Sequence, residues 1–406
     1  MRHFWSTIFT LGLAGFSTPS AGQTNAIIDL MDQAVSSAPA IQIAEADIVR
    51  ARSSAKRIVL SPYEYQASAS AGQRFIDDPL ASETDFTEFG AGISKTIRLP
   101  DKKRLDQQLS DIEIEIAILS VEAAKFEEKL TFVKLWNDWA QAHRLVAVSK
   151  DQARDAAELV ALESVKVEKG AARQINADIL LAQSQMAEVM MHRDFVAANR
   201  AKLALQTRYP MIVLPDEPFN LSTPSMVMPA MDLQGGPSYP AQRLAALQSQ
   251  KLRMKARRER LNKRPDPTLG MAVSNEFGGR ETSVMGTISI PLGGKLRRAT
   301  ADEAQAQALK SEVESRLSYQ LAAQDYAYAM ENAKSYQTLI ASSDMARKAS
   351  RAAVGQIEKG YALGAITAQE VIVARKSLRE AERTYAEYVG EAEAANLLLH
   401  LYTTAK

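Results

Sequence analysis

Between residues 105 and 133, apolar side chains recur without a break at alternating intervals of four and three positions: Leu105, Leu109, Ile112, Ile116, Leu119, Ala123, Phe126, Leu130 and Val133. A sustained heptad seam is typical of a helix that packs along its whole length against other helices. No proline interrupts the stretch from about Asp101 to Gly170, which as one helix would be roughly 100 Å long. Ordinary compact domains do not contain helices of that length. A plain coiled coil with a solvated outer face is the alternative on this stretch alone.

Composition excludes several classes of function. The 406 residues carry a net charge of +1, which argues against a general nucleic-acid binder. Cysteine is absent, so disulfides and thiolate metal sites are excluded. The four histidines are scattered, and no Gly-rich phosphate loop is present. We therefore predict no catalytic residue, metal site, cofactor or nucleic-acid partner.

The first 22 residues have the pattern of a secretory signal peptide. Arg2 and His3 precede an apolar core, and Ser20 to Gly22 are small residues suited to cleavage. A short membrane anchor is the alternative, although the apolar core is under the roughly 18 residues that a spanning helix needs. The mature chain is therefore expected to be exported, and any membrane span is expected to consist of strands.

The remaining chain divides into two similar halves, 23–208 and 238–406, separated by a Pro-rich connection at 209–237. Each half starts with a moderate helix, at about 26–60 (interrupted by Pro39) and about 240–263. Each continues with two strands, predicted at about 63–75 and 86–99, and at about 267–275 and 282–292. Each ends with two long helices, predicted at about 101–169 and 175–207, and at about 294–359 and 367–402.

The strand segments alternate apolar and polar residues, as half-buried strands do. Their length of about 10 residues suits tilted strands that cross an outer membrane, and a soluble hairpin over a core is the alternative. A lipid bilayer tolerates no open sheet edge, and the smallest barrels have eight strands. Since each chain offers four strands, several chains would have to share one barrel.

Each strand pair leads through a tight turn into a basic first turn of a long helix: Lys102, Lys103 and Arg104 in the first half, and Lys295, Arg297 and Arg298 in the second. Cations at a helix N-terminus oppose the helix dipole. A boundary between membrane and periplasm would favour them, because they could reach phosphate head groups. A solvated charge run is the alternative.

Each long helix is predicted to end at a Lys-Gly turn, Glu168-Lys169-Gly170 and Glu358-Lys359-Gly360, because glycine commonly follows a helix. A returning helix follows each turn. The segments 178–183 and 370–375 of the returning helices align with each other in sequence. In this alignment, Asp178 of the first half is equivalent to Glu370 of the second half.

In the order and twofold repetition of these signatures, the chain resembles the TolC family of outer membrane efflux proteins, the outer membrane factors. The resemblance covers nearly the whole mature chain and includes Ala38-Pro39-Ala40-Ile41 at the start of the first half. The short signature Leu99 to Arg104 is similar to that of the cation-efflux branch. The expected fold is mainly α with a membrane β part, in which a trimeric α-barrel tunnel continues a shared 12-stranded β-barrel.

The resemblance implies a homotrimer in the bacterial outer membrane with a long periplasmic extension, which contacts a periplasmic adaptor and an inner-membrane pump. Glu370 matches the first of two acidic positions that narrow the periplasmic entrance in the family, whereas Val373 departs from the second. Asp178 is the counterpart of Glu370. The tips that meet the adaptor would include Lys169, Gly170, Lys359, Gly360, Tyr361, Leu363 and Gly364. Surface carboxylates and ordinary helix caps are the alternatives.

The function predicted from this pattern is an outer membrane channel of a tripartite efflux system. The second hypothesis, a soluble periplasmic coiled-coil adaptor or scaffold, shares the long helical hairpin. It expects one hairpin flanked by compact β-domains instead of two in tandem. An enzyme is disfavoured because no nucleophile motif or histidine cluster is present.

Overall fold

The computed structural model describes residues 21–60, 63–75, 85–219 and 239–404. The predicted signal peptide, apart from residues 21 and 22, lies outside them, as do the turn at 77–79 and most of the Pro-rich connection. The helices are α1 (Ala21–Ser36), α2 (Pro39–Leu60), α3 (Pro100–Glu168), α4 (Gln174–Arg208), α5 (Pro240–Leu261), α6 (Lys295–Ala362) and α7 (Ala368–Thr404). No helix in this part of the chain is long and apolar enough to cross a membrane.

The first helical region is two helices, α1 and α2. Pro39 is the first residue of α2, a position where its missing N–H costs no hydrogen bond. The break lies at residues 37 and 38, where the Ala38 N–H donates to the carbonyl of Val35 at 3.1 Å. Proline therefore starts a new helix here instead of bending a continuous one.

Four strands form one antiparallel sheet in the order β1-β2-β3-β4: β1 (Tyr65–Phe75), β2 (Asp85–Thr96), β3 (Thr268–Glu276) and β4 (Glu281–Ser289). The two predicted hairpins are joined because β2 pairs with β3, from Phe89 opposite Asn275 to Thr96 opposite Thr268. The hydroxyls of Thr96 and Thr268 lie 2.8 Å apart at one end of this pairing. Strands β1 and β4 are left as the two edges of the described sheet.

The two faces of the sheet differ in polarity, because paired residues share a face and successive residues alternate. One face carries large apolar side chains, all exposed in the single chain: Tyr65, Phe89, Ile93, Leu269, Met271, Val273, Val284 and Ile288. The other carries mostly small or polar residues: Gln66, Ser68, Ser70, Gly90, Gly92, Ser94, Gly270, Ser274, Ser283 and Thr287. The predicted alternation is thus present in three dimensions.

The described residues form two compact units. The first contains residues 21–38, 129–219 and 328–401, and the second contains 39–60, 63–75, 85–128, 239–327 and 402–404. Each unit takes segments from both halves of the sequence, and helices α3, α6 and α7 contribute residues to both units.

The two units have different cores. In the first unit, Phe132 and Trp136 stack at 6.0 Å between ring centroids, and Trp139 meets Trp136 edge-on at 5.2 Å. Part of the second unit packs through small side chains instead, with Ala256 of α5 against Ala304 and Ala308 of α6. Aromatic rings fill space between helices that lie apart, whereas alanines let helices approach closely.

Candidate functional site

In the first unit, the turn between α3 and α4 closes through a left-handed glycine. Gly170 has a φ of 69°, and its N–H donates to the carbonyl of Val167 at 2.9 Å. The N–H of Ala171 donates to the carbonyl of Lys166 at 2.8 Å, which completes a Schellman cap. Lys169 and Gly170 are exposed. Glycine therefore ends α3 at the predicted position.

The prediction that α6 ends at Lys359-Gly360 is wrong, because the helix continues to Ala362. The capping residue is Gly364, with a φ of 77°, and the N–H of Ala365 donates to the carbonyl of Gly360 at 2.9 Å. Gly360 serves packing instead. A Cβ at Gly360 would lie 2.7 Å from Cδ1 of Ile366, so only glycine lets that side chain lie against the helix.

Tyr361, expected among the residues of the tip that meets the adaptor, is only 4% exposed. Its hydroxyl donates to the buried carboxylate of Glu163 on α3. The Nζ of Lys166, also on α3, lies 3.3 Å from the centre of the Tyr361 ring and donates to the Tyr361 carbonyl at 2.9 Å. The ring belongs to an apolar cluster formed by Leu159, Leu180, Tyr361, Ala368, Val371 and Ile372. Tyr361 therefore joins the two helical hairpins from inside.

Glu370 lies in the first turn of α7 and is exposed. Its Oε2 accepts hydrogen bonds from the backbone N–H and the hydroxyl of Thr367, both at 2.8 Å, while the Thr367 hydroxyl faces the N–H of Glu370 at 3.4 Å. This is a capping box, which satisfies N–H groups at the helix start. The bond from the Thr367 N–H lowers the pKa of Glu370 below its usual value of 4.5.

Asp178, the predicted counterpart of Glu370, is exposed on α4 and accepts a hydrogen bond from Nε2 of Gln174 at 2.9 Å. Each of the two carboxylates is thus held by a residue of its own helix start. Val373, where the sequence departs from the second acidic position, is 59% exposed. The two acidic side chains and this valine all lie close to the helical turns of the first unit.

Arginines on α7 connect the hairpins above the turns, and the sequence reading missed them. Arg375 pairs with Glu358 of α6 at 2.6 Å and also donates to the backbone carbonyl of Asp155 on α3. Arg383 contacts Asp194 of α4 at 2.6 Å. Burial alone would raise the pKa of Asp194, but hydrogen bonds from Arg383 and Ser149 outweigh it and lower that pKa. Nothing local marks these arginines, because their partners are distant in sequence.

In the second unit, Lys102 does not have the exposed position that phosphate contact requires. It is 2% exposed, and its Nζ lies 3.0 Å from Asp266 and donates to the carbonyl of Arg264 at 2.5 Å. The partly buried carboxylate of Asp266, not a lipid head group, thus offsets the unfavourable helix dipole. The predicted boundary residues Lys103, Arg104, Lys295 and Arg298 are exposed, and Arg297 is half-buried.

Lys102 belongs to a larger buried charge network at the strand–helix junctions. Arg98, which follows β2, contacts both carboxylate oxygens of Asp106, at 2.8 and 3.0 Å. It also donates to Asp266 at 3.1 Å, and Arg258 of α5 contacts Asp106 at 2.5 Å. Burial would raise the pKa of Asp266, but hydrogen bonds from Lys102, the Leu99 N–H and Arg98 lower it. Arg98 was not singled out from the sequence, because Asp266 and Arg258 lie more than 150 positions away.

No protein family matches the sequence, and no curated protein matches it either. Solved structures do match the fold. The outer-membrane channel OprN aligns with a TM-score of 0.79 at 16% identity, covering 96% of this chain and 93% of that chain. CusC, whose structures concern folding and transmembrane channel formation, aligns at 0.78 and 15%, covering 94% and 92%.

The outer membrane protein VceC of Vibrio cholerae aligns with a TM-score of 0.76 at 16% identity, covering 95% of this chain and 98% of that chain. These alignments run over nearly the full length of each protein. The resemblance drawn from the sequence is confirmed at the level of the fold: the described residues have the mainly helical fold, with one small antiparallel sheet, of these outer membrane proteins.

Proposed function

We propose that this chain is the outer membrane channel of a tripartite efflux system, located in the bacterial outer membrane with its helices in the periplasm. It would conduct cargo from an inner-membrane pump and a periplasmic adaptor to the outside. The observation that carries this proposal is the exposed apolar face of the sheet, on a chain with the fold of outer membrane channels. Soluble proteins rarely expose so large an apolar surface without a partner.

The edges of the sheet support self-association. Strands β1 and β4 each leave a row of backbone groups without a strand partner in the described chain, and such groups are costly in lipid. Pairing β1 of one copy with β4 of the next would satisfy them. Since four strands per copy are too few for the smallest barrels, we propose the homotrimer with a shared 12-stranded barrel that the family resemblance implies.

The turns of the first unit are proposed as the periplasmic end. Glu370 and Asp178 would line the entrance constriction. The surface that meets the adaptor would consist of Lys169, Gly170, Lys359, Leu363 and Gly364. Leu363 is 85% exposed at the tip of its turn, a position suited to a contact with an apolar partner surface. Gly360 and Tyr361 would instead shape this tip from inside.

Membrane lipid would contact the sheet, and the exposed boundary cations Lys103, Arg104, Lys295 and Arg298 would lie at the head groups. An enzymatic role is not proposed, because the similar solved structures are channel proteins. The soluble adaptor alternative is not favoured, since in the described part of the chain the long helices continue from one four-stranded sheet and not from separate compact β-domains.

A matched pair of substitutions on β4 tests the membrane assignment. Val284 and Met285 are adjacent, 69% and 56% exposed, and on opposite faces of the sheet. Val284→Arg places a charge on the apolar face, at a cost of about 2–4 kcal/mol near the bilayer centre. Met285→Arg places the same charge on the face proposed to line the lumen. Trimer yield in outer-membrane fractions should fall for Val284→Arg and stay near wild type for Met285→Arg.

Equal assembly of both variants would contradict the proposed orientation of the sheet. Release of the mature wild-type chain by osmotic shock, as a water-soluble monomer, would contradict the channel itself. Purified wild-type trimers should also conduct ions in a planar lipid bilayer without any added adaptor.

A further inference from the structure

Within the first unit, a half-open pocket of about 330 Å³ lies among α3, α4 and α7. Apolar side chains of α4, namely Met186, Ala187 and Met190, form one wall. The opposite wall comes from α7 and carries Lys376, Arg379, Glu380 and Arg383. Its volume is at the lower end of the range of small-molecule sites in proteins, about 300–1,000 Å³. The pocket therefore combines an apolar wall with a cationic one.

Three arginines follow each other on α7 at intervals of four residues, but only two of them have anionic partners. Arg375 pairs with Glu358 at 2.6 Å, and Arg383 pairs with Asp194 at 2.6 Å. Arg379, between them, makes no hydrogen bond or ion pair with any residue that the structure describes. Arg379 thus differs from Arg375 and Arg383 in having no ion-pair partner among the residues that the structure describes.

Arg379 is half-buried. Burial lowers the pKa of its guanidinium, and the neighbouring charge of Arg375 lowers it further, while the adjacent Glu380 offsets part of this effect without forming an ion pair. A partly desolvated cation with no partner is unfavourable in this position. An anion in the pocket would relieve that cost, because hydrogen bonds between ionised groups are the strongest of their kind.

We infer that this pocket, the Arg379 pocket, binds a small amphiphilic organic anion, with a carboxylate or sulfate against Arg379 and an apolar body against Met186 and Met190. The unpaired guanidinium of Arg379 and the exposed ammonium of Lys376 can together bind one negatively charged group of a ligand. Glu380, at the rim, disfavours ligands with several charges, such as nucleotides or polyphosphates. The apolar wall excludes inorganic anions as the preferred ligand.

The site is separate from the proposed entrance. Glu370 and Arg379 are nine residues apart on α7, which at 3.6 residues per turn is two and a half turns. They therefore lie on opposite faces of the helix. A ligand in the pocket would bridge α3, α4 and α7, and would act on the packing of the two hairpins without lying beside Glu370. The inference rests on the geometry of this unit and does not depend on channel activity.

Binding can be measured on the full-length mature protein in an uncharged detergent, with methionine methyl groups labelled for NMR. Decanoate is the probe, and 1-decanol, of equal chain length, is the uncharged control. Met186→Leu and Met190→Leu assign the two reporting signals. Decanoate should shift both signals saturably. Decanol should bind about tenfold or more weakly, because it forms no ion pair.

Arg379→Met should weaken decanoate binding about tenfold or more, Arg379→Lys should retain part of it, and Arg200→Met should leave it unchanged. Arg200 is an exposed arginine on α4, so its substitution controls for general loss of charge. Equal shifts in wild type and Arg379→Met would mean an adventitious additive only and would overturn the inference. So would the absence of any shift in wild type, as expected if a carboxylate of a second copy already fills the pocket.

Because the binding measurement needs no ion conduction, its failure leaves the proposed channel untouched. Conversely, a protein that binds decanoate through Arg379 but conducts no ions in a bilayer would contradict the proposed function alone.

Discussion

The hydroxyl of Tyr361 on α6 donates a hydrogen bond to the buried carboxylate of Glu163 on α3, 198 positions away in the sequence. Glu163 is 1% exposed, so its carboxylate is shielded from water and accepts its hydrogen bond from the tyrosine hydroxyl instead. Around this bond, Lys166 covers the tyrosine ring and holds the Tyr361 carbonyl. The two hairpins of the first unit are therefore joined close to their turns by a polar contact within an apolar cluster.

Tyr361→Phe should destabilise this end of the first unit by about 1–3 kcal/mol, because it leaves a buried carboxylate without its donor. Hydrogen exchange should accelerate in the segments 163–170 and 360–367. Adding Glu163→Gln should recover part of the loss, since the buried charge is then gone. Tyr319→Phe, at an exposed tyrosine of α6, is the control. Unchanged hydrogen exchange in Tyr361→Phe would mean that the hydrogen bond between Tyr361 and Glu163 does not stabilise the contact between the two hairpins.

Three glycines of α6 and its turn should respond differently to alanine. Gly355 is helical with open space around it, so Gly355→Ala should stabilise the helix by up to about 1 kcal/mol. Gly364→Ala should cost about 1–2 kcal/mol because of its positive φ. Gly360→Ala should cost about 1–3 kcal/mol through the contact with Ile366. The measurement is the free energy of unfolding of the purified protein.

The Gly360 result has its own control. Removing the opposing side chain with Ile366→Ala should make Gly360→Ala nearly neutral, because no methyl group then blocks the new Cβ. Additive losses in the double variant would show that Gly360 is needed for a reason other than this contact. The same comparison should leave the cost of Gly364→Ala unchanged, since nothing lies within 4 Å of that position.

Periodicity along the chain predicted the elements but not the contacts between them. The long helices and the strands follow from local patterns, and the observed ends differ from the predicted ones by a few residues. The two candidate helix stops, Gly360 and Gly364, lie four residues apart, and their neighbours in sequence do not distinguish them. What separates them is Ile366, which packs on Gly360 only once α7 has folded back.

The site was predicted less completely because its charges are satisfied by distant residues. From the sequence, Lys102 was expected to contact lipid head groups at the surface. In the structure it pairs with Asp266, which belongs to the second half of the sequence and could not be recognised as its partner. Similarly, Arg375 donates a hydrogen bond to the backbone carbonyl of Asp155, which lies 220 positions away in the sequence. The capping box of Glu370, by contrast, joins residues three positions apart and is of the kind that sequence can indicate.

Lys102→Met should lower the stability of the strand–helix junction by about 1.5–3 kcal/mol, because it removes a charged hydrogen-bond donor from Asp266, which keeps Arg98 and the Leu99 N–H as partners. Lys103→Met, at the exposed neighbouring position, should change stability by less than about 0.5 kcal/mol. Thermal unfolding of the purified protein measures both. Equal effects would mean that the two lysines act as surface charges, as the sequence first suggested.

The same network should make the junction sensitive to acid. The pKa of Asp266 is lowered in the folded chain, so the folded state binds fewer protons than the unfolded one near that pKa. The stabilisation is therefore present above the unfolded value of about 3.9 and is lost as the pH falls through the lower folded value. Wild type should exceed Asp266→Asn in heat stability at pH 7, and the difference should shrink below about pH 4. A difference independent of pH would point to lost packing instead.

Glu370→Gln isolates the charge of the proposed entrance, because the amide oxygen can still accept the bond from the Thr367 N–H. Glu370→Ala removes the charge and the cap together. If Glu370 lines the conducting path, both variants should weaken block by multivalent cations in a planar bilayer, and only Glu370→Ala should loosen the start of α7 in hydrogen exchange. In wild type, block should persist to pH values below 4.5, because the pKa of Glu370 is lowered from that value. If block by multivalent cations is unchanged in both variants, Glu370 does not line the entrance. Faster hydrogen exchange at the start of α7 in Glu370→Ala alone would then show that Glu370 serves only as a helix cap.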